Sequence, residues 1–149
     1  MKKPVKTYQI LLDNNIYVSA IHSPVKETAS LKLIIKVIQN RHITLIGNKY
    51  LLAEMSRYSE AFPSATALML LRALVAKIQV INVEERYIKL CMNYMNQSSP
   101  VDVIHAASCL QTNSILVTND KHFDKLRQER IITVWNTKEA LENMTQADK

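Results

Sequence analysis

PVDVIHAASCLQTNSILVTNDKHFDKL, residues 100–126, is the stretch whose reading decides the fold. Gln97-Ser98-Ser99-Pro100 interrupts the chain, and Pro100 suits the first turn of a helix over VDVIHAASCLQT, with Asp102 just inside it. Ser114 to Thr118, SILVT, reads as a strand ended by Asn119-Asp120, and a short helical turn around His122 to Arg127 follows. A helix that leads into a buried strand and back into helix is the repeating unit of a parallel sheet covered by helices.

The same alternation extends in both directions. Upstream, Tyr8 to Leu12 (YQILL) is a short apolar run followed by Asp13-Asn14-Asn15, which reads as a buried strand ending in a polar turn. Ser23-Pro24 opens a stretch from Val25 to Gln39 whose apolar positions Leu31, Ile34, Ile35 and Ile38 have helical spacing. Ile43 to Ile46 is the second strand. After Gly47-Asn48, KYLLAEMSRYSE sets Leu51, Leu52, Met55 and Tyr58 on one helical face and Glu54 near the helix start. Pro63-Ser64 restarts the chain into an apolar helix over Ala65 to Lys77. Ile78 to Val83 is expected as the third strand and Glu84 to Asn96 as a helix. Downstream, Ile131 to Trp135 makes a fifth strand and Thr137 to Met144 a closing helix. The expected architecture is α/β, three layers with a central parallel sheet of about five strands. Residues 1–149 read as a single domain, with a frayed tail at about 145–149 and no internal repeat or low-complexity tract.

Composition narrows the function classes. The 19 Lys and Arg against 13 Asp and Glu give a net charge of +6, which favours polyanionic partners. Cys91 and Cys109 lack metal or redox spacing and read as buried thiols. No apolar run reaches the roughly 20 residues of a membrane span, and MKKPVK is not followed by a cleavage site, so a cytoplasmic location without membrane contact is expected. A single glycine, Gly47, excludes dinucleotide-binding and P-loop fingerprints, each of which needs at least two.

The acids carry the chemistry. In open parallel sheets, ligands bind beyond the carboxyl ends of the strands. Asp13 follows strand one, Glu54 lies one or two turns into the helix after strand two, Asp102 opens the helix before strand four, and Asp120 follows that strand. Each has an ordinary reading alone, as a turn residue or a helix-start charge. Together at one edge they would repel one another unless cations neutralised them, and hard divalent ions shared between carboxylates and phosphates suit phosphodiester chemistry.

These segments resemble the PIN-domain ribonuclease family. LLDNNIYVSA is similar to its opening motif, a hydrophobic strand followed by Asp, a variable residue and Asn; LLAEMSRY resembles its glutamate helix. Residues 100–126 resemble its third and fourth motifs, ending in Thr-x-Asp-x-x-Phe. The resemblance implies metal-dependent hydrolysis of RNA, with Mg2+ or Mn2+ as cofactor, leaving 5′-phosphate and 3′-hydroxyl ends. It carries over Asp13, Glu54, Asp102 and Asp120 as catalytic metal ligands, with Asn15 and Thr118 as supporting polar groups. Asn14 stands where the family usually has Thr or Ser. Many members are VapC-type toxins, which implies an antitoxin protein as partner and a homodimer; others mature ribosomal RNA.

Other residues remain open. Asp124 is a candidate fifth ligand or, more simply, an exposed helix acid; His105 and His122 are candidate substrate neighbours or ordinary packed or exposed histidines. Lys49, Arg57, Lys121 and Arg127 are candidate RNA phosphate contacts, against a reading as solvated surface. Met69, Met92, Met95 and Trp135 read as core or dimer surface rather than a base-stacking platform. The functional alternatives are a catalytically silent RNA-binding or assembly module on the same fold, an RNA-maturation nuclease, and a DNA-directed structure-specific nuclease, whose extra acids and helical clamps are not found in the chain.

Overall fold

The structure is a computed structural model that describes residues 6–22 and 28–147, with side chains to residue 145. Strand β1 (Tyr8–Leu12) leads into helix α1 (Asn14–His22), and α2 (Ala29–Gln39), β2 (Ile43–Gly47), α3 (Lys49–Ala61), α4 (Ala65–Lys77) and β3 (Gln79–Val80) follow. The second half comprises α5 (Glu85–Met92), α6 (Pro100–Thr112), β4 (Ile115–Val117), a 3-10 turn (Lys121–Phe123), α7 (Asp124–Gln128), β5 (Val134–Trp135) and α8 (Thr137–Ala147). The five strands are all parallel, in the order β3-β2-β1-β4-β5.

That order fixes where a ligand can enter. From β1 the chain steps one way through β2 to β3, then returns to build β4 and β5 on the other side of β1. Right-handed crossovers in opposite directions set their helices on opposite faces. Accordingly α1 to α4 pack among themselves and with α8, while α5 packs on α6. The direction reverses between β1 and β4, registered Ile10↔Ile115 through Leu12↔Val117, and the crevice of a doubly wound sheet opens at that point.

Local chemistry sets the helix starts. Thr28, Asn48, Ser64 and Ser99 each accept a hydrogen bond from a first-turn amide of α2, α3, α4 and α6. Asn113 closes α6 in the left-handed conformation, with φ 54°, a region that asparagine tolerates. Ile10 and Leu11 of β1 are fully buried and belong, with Leu33, Ile34 and Leu51, to one continuous core. Gly47 ends β2 where space is short: a Cβ there would meet Ile78 Cγ2 at 2.8 Å and Leu51 Cδ2 at 3.1 Å.

Several expectations from sequence need correction. Asp13-Asn14-Asn15 is not a polar turn; Ile16 N–H bonds Asp13 O and α1 begins at once, burying Ile16, Tyr17, Ala20 and Ile21. β3 and β5 are shorter than expected because they are edge strands, each pairing through two residues with a single neighbour. The expected helix start at Ser23-Pro24 lies outside the described residues, which show α2 only from Ala29. Helix α5 stops at Met92 rather than Asn96, and α8 runs to Ala147, into the stretch read as a tail. Met95 is buried, whereas Met69 and Met92 are exposed. Both cysteines are buried and free; burial pushes the Cys91 thiol up to about 11 and Cys109 higher still. Among the described residues no helix is long and apolar enough to cross a membrane.

Candidate active site

Asp13 stands at the end of β1, where its backbone N–H continues the sheet by bonding Val117 O at 2.9 Å. Its side chain is 6% exposed, and Oδ2 accepts a 2.7 Å hydrogen bond from Thr118 Oγ1 just beyond β4. Thr118 Oγ1 itself accepts from Asn15 Nδ2 at 3.2 Å and from Asp120 N at 3.0 Å. One hydroxyl therefore ties β1, α1 and the β4 loop together at the switch point. Burial raises the pKa of Asp13; the Thr118 bond opposes this and the charge of Asp102 adds to it.

Asp102 sits in the first turn of α6, its N–H held by Ser99 Oγ at 3.2 Å. Asp120 caps the 3-10 turn, accepting from His122 N at 2.9 Å. That turn brings His122 Nδ1 to 3.3 Å from Asp120 Oδ1 and 3.7 Å from Asp102 Oδ2. Asp102, Asp120 and His122 each offer a ligand atom within 4.8 Å of one another, a set able to hold a cation. Sequence reasoning named both acids but weighed His122 only as a substrate neighbour or an ordinary histidine; its place two residues after Asp120 in a capped turn was the available signal.

Glu54, in the second turn of α3, completes the acidic lining opposite. A buried relay holds it. Leu51 N–H needs an oxygen acceptor and finds Asn48 Oδ1 at 2.9 Å, so Asn48 Nδ2 must face Ser108 Oγ at 2.9 Å and His105 Nδ1 at 3.1 Å. Ser108 gives its own proton to Ile104 O, so both contacts receive the Asn48 amide protons. His105 Nδ1 is then an acceptor, its ring proton lies on Nε2, and that proton points at Glu54 Oε1, 2.8 Å away. Burial raises the Glu54 pKa, but the His105 bond, with help from Asn14 and Arg57, more than offsets it and leaves the carboxyl below its ordinary value. His105 is fully buried, so it supports Glu54 instead of meeting substrate. No local pattern in the sequence signals a relay between residues on α3 and α6.

All four acids line one open cleft of about 520 Å³ at the carboxyl ends of β1 and β4, together with Asn14 and Asn15. The family model for the PIN domain matches residues 10–129, most of the chain and all four acids. The chain belongs to the PIN-domain family. PIN domains are generally metal-dependent nucleases. The donor set of this one, carboxylate oxygens with one imidazole beside them, fits a divalent ion. Among solved structures, this PIN domain is similar to a chain of VapBC2 from Rickettsia felis, solved bound to a DNA fragment from its promoter. The TM-score is 0.62 at 18% identity, over 86% of this chain and 98% of that one, a likeness in fold. No curated protein matches the chain.

The remaining candidates are dispersed. Asp124 is exposed at the start of α7 and is not among the residues lining the PIN-domain cleft. Arg57 lies near enough to stabilise the Glu54 anion, and Lys121 is exposed in the turn after Asp120. Lys49 is exposed at the start of α3, its Nζ 5.2 Å from the centre of the Tyr50 ring. Arg127 forms a two-pronged ion pair with Glu139 at 2.9 and 2.6 Å, beside Trp135 and Arg130 in a separate depression.

Proposed function

We propose that this chain is a single-domain, metal-dependent endoribonuclease that hydrolyses RNA phosphodiester bonds at the cleft between β1 and β4. The observation that carries the reading is the convergence of Asp13, Glu54, Asp102 and Asp120 on one cleft at the topological switch point. Asp102 and Asp120, with His122 beside them, are the residues that would hold Mg2+ or Mn2+, and Asp13 and Glu54 would complete the ligand set. A bound divalent ion supplies Lewis-acid activation of the phosphodiester and of water. The chain's own part is positioning: Thr118 fixes Asp13, His105 fixes Glu54, and the capped starts of α6 and the 3-10 turn fix Asp102 and Asp120. Hydrolysis adds water across the bond, leaving a 5′-phosphate and a 3′-hydroxyl. Arg57 and Lys121 are the candidate phosphate contacts nearest the acids.

The likeness to VapBC2 favours a toxin role with an antitoxin partner over RNA maturation, and a homodimer is proposed alongside it. The test is incubation of the wild type and Asp102→Asn with a mixed RNA pool in Mg2+, in Mn2+ and in chelator. Metal-dependent cleavage absent from the variant is expected. No cleavage and no bound metal under any condition would move the protein to the RNA-binding or assembly reading.

A further inference from the structure

The acids occupy only one end of the cleft. On α1, Asn15, Val18 and His22 recur at helical spacing, and on α3 Glu54 is followed one turn later by Tyr58, with Phe62 at the helix end; all line the same cleft. Four residues advance a helix by about 6 Å, so the cleft runs from carboxylates to aromatic rings over roughly one side chain's reach. Phe62 is 37% exposed and His22 is exposed, yet the two rings meet edge to face with centroids 5.3 Å apart and planes at 89°. Arg57 lies 6.0 Å from the centre of the Tyr58 ring and also acts on Glu54, bringing a cation to the wall. The exposed His22 and Phe62 rings and the half-buried Tyr58, beside a cation and the acid cluster proposed to hold metal, are the parts of a single-stranded nucleic-acid platform.

We propose that Tyr58, Phe62 and His22 form a subsite that stacks the base of the nucleotide next to the scissile phosphate. The inference rests on the nuclease reading above and deepens it. A nucleotide whose phosphate reaches the acids has its base alongside these rings, and its polar edge faces Asn15 and the exposed Ser19. Stacking is tolerant of base identity, so the subsite recognises a nucleobase as a class and favours unpaired strands. Continuity with the acid cluster and the adjacent guanidinium favours this occupant over a side chain of a partner protein.

The test uses the full chain carrying Asp102→Asn, to prevent cleavage, with Mg2+. Fluorescence anisotropy compares a single-stranded oligoribonucleotide with an abasic oligomer of equal length, which keeps the phosphates and loses the bases. Adding Phe62→Ala should weaken binding of the base-bearing strand by about fivefold to about a hundredfold and leave the abasic strand unchanged, while Phe62→Trp restores binding. If Phe62→Ala melts early, His22→Ala, at an exposed position, is read in its place. Equal losses on both strands, or no loss on either, overturn the subsite. So does unchanged RNA binding combined with weakened binding of a partner protein. Metal-dependent cleavage by the wild type alongside such a result leaves the nuclease reading standing; absence of both cleavage and RNA binding removes the nuclease reading and the subsite together.

Discussion

Asp13→Asn should make the metal-free protein more stable at neutral pH while removing its activity. The Asp13 carboxyl is buried, and burial with the charge of Asp102 raises its pKa above the ordinary 3.8. Between the unfolded and folded values the native state binds the extra proton, so stability falls as pH rises through that window. Below the unfolded value the penalty is absent; above the folded value it is fully present. Asparagine cannot ionise but keeps an oxygen for the Thr118 hydroxyl. An imperfectly compensated buried group costs about 1–3 kcal/mol, and weakening the charge-assisted Thr118 bond returns part of that, leaving a gain of about 1 kcal/mol. For a chain of this length the gain is about 3 °C in melting temperature. Calorimetry in chelator at pH 7 and near pH 3.5 should show the gap between variant and wild type shrinking in acid. Saturating Mn2+ should then reverse the order, since a ligand at a hundredfold its Kd adds about 2.7 kcal/mol to whichever protein binds it. A variant less stable than wild type at pH 7 without metal, or a gap that ignores pH, would refute the reasoning.

Three further outcomes follow from the same geometry. His105→Leu removes the Nε2–H donor from Glu54 and should weaken Mn2+ binding about 10–100-fold by titration calorimetry, with partial recovery in His105→Gln; unchanged affinity would mean that the relay does not hold Glu54. With Co2+ as a spectroscopic probe, His122→Ala should shift the visible absorption band, because its Nδ1 lies among the ligand atoms of Asp102 and Asp120; identical spectra would place the imidazole outside the coordination sphere. Gly47→Ala should destabilise by about 1–3 kcal/mol through overpacking against Ile78 and Leu51, read as a lower denaturation midpoint in urea.

Most of the fold was legible because buried parallel strands and capped amphipathic helices leave strong local patterns. SILVT and YQILL are apolar runs ended by polar residues, and Asp13, Asp102 and Asp120 are readable as strand-end or helix-start acids. What failed to show locally depended on partners distant in sequence. IQVINV alternates like a longer strand, but only Gln79 and Val80 find a ladder on β2. Asn14 and Asn15 look like turn residues, yet the sheet bond of Asp13 and the packing of Ile16 and Tyr17 carry the chain directly into α1. Asn48 reads as a cap after Gly47, but its second function, orienting the His105 ring, needs α3 beside α6.

Two unfavourable features of the fold lie side by side at the end of β1. Asp13 is a buried acid with a raised pKa, and beside it Asn14, 5% exposed, leaves its Oδ1 without a hydrogen-bond partner in the protein. Asn14 still lies close enough to Glu54 to help lower its pKa. A few residues away in space, Thr118, Asn48 and Ser108 are fully hydrogen-bonded. Local rules of stability that are broken at one strand end and kept around it mark a place where the sequence favours chemistry over stability. A divalent cation bound there would relieve the repulsion among the acids, whose positions are already set by neutral hydrogen-bonding groups. The helices that carry the proposed aromatic subsite, α1 and α3, start directly after Asp13 and Asn48, so the same two positions that place the acids also set the wall.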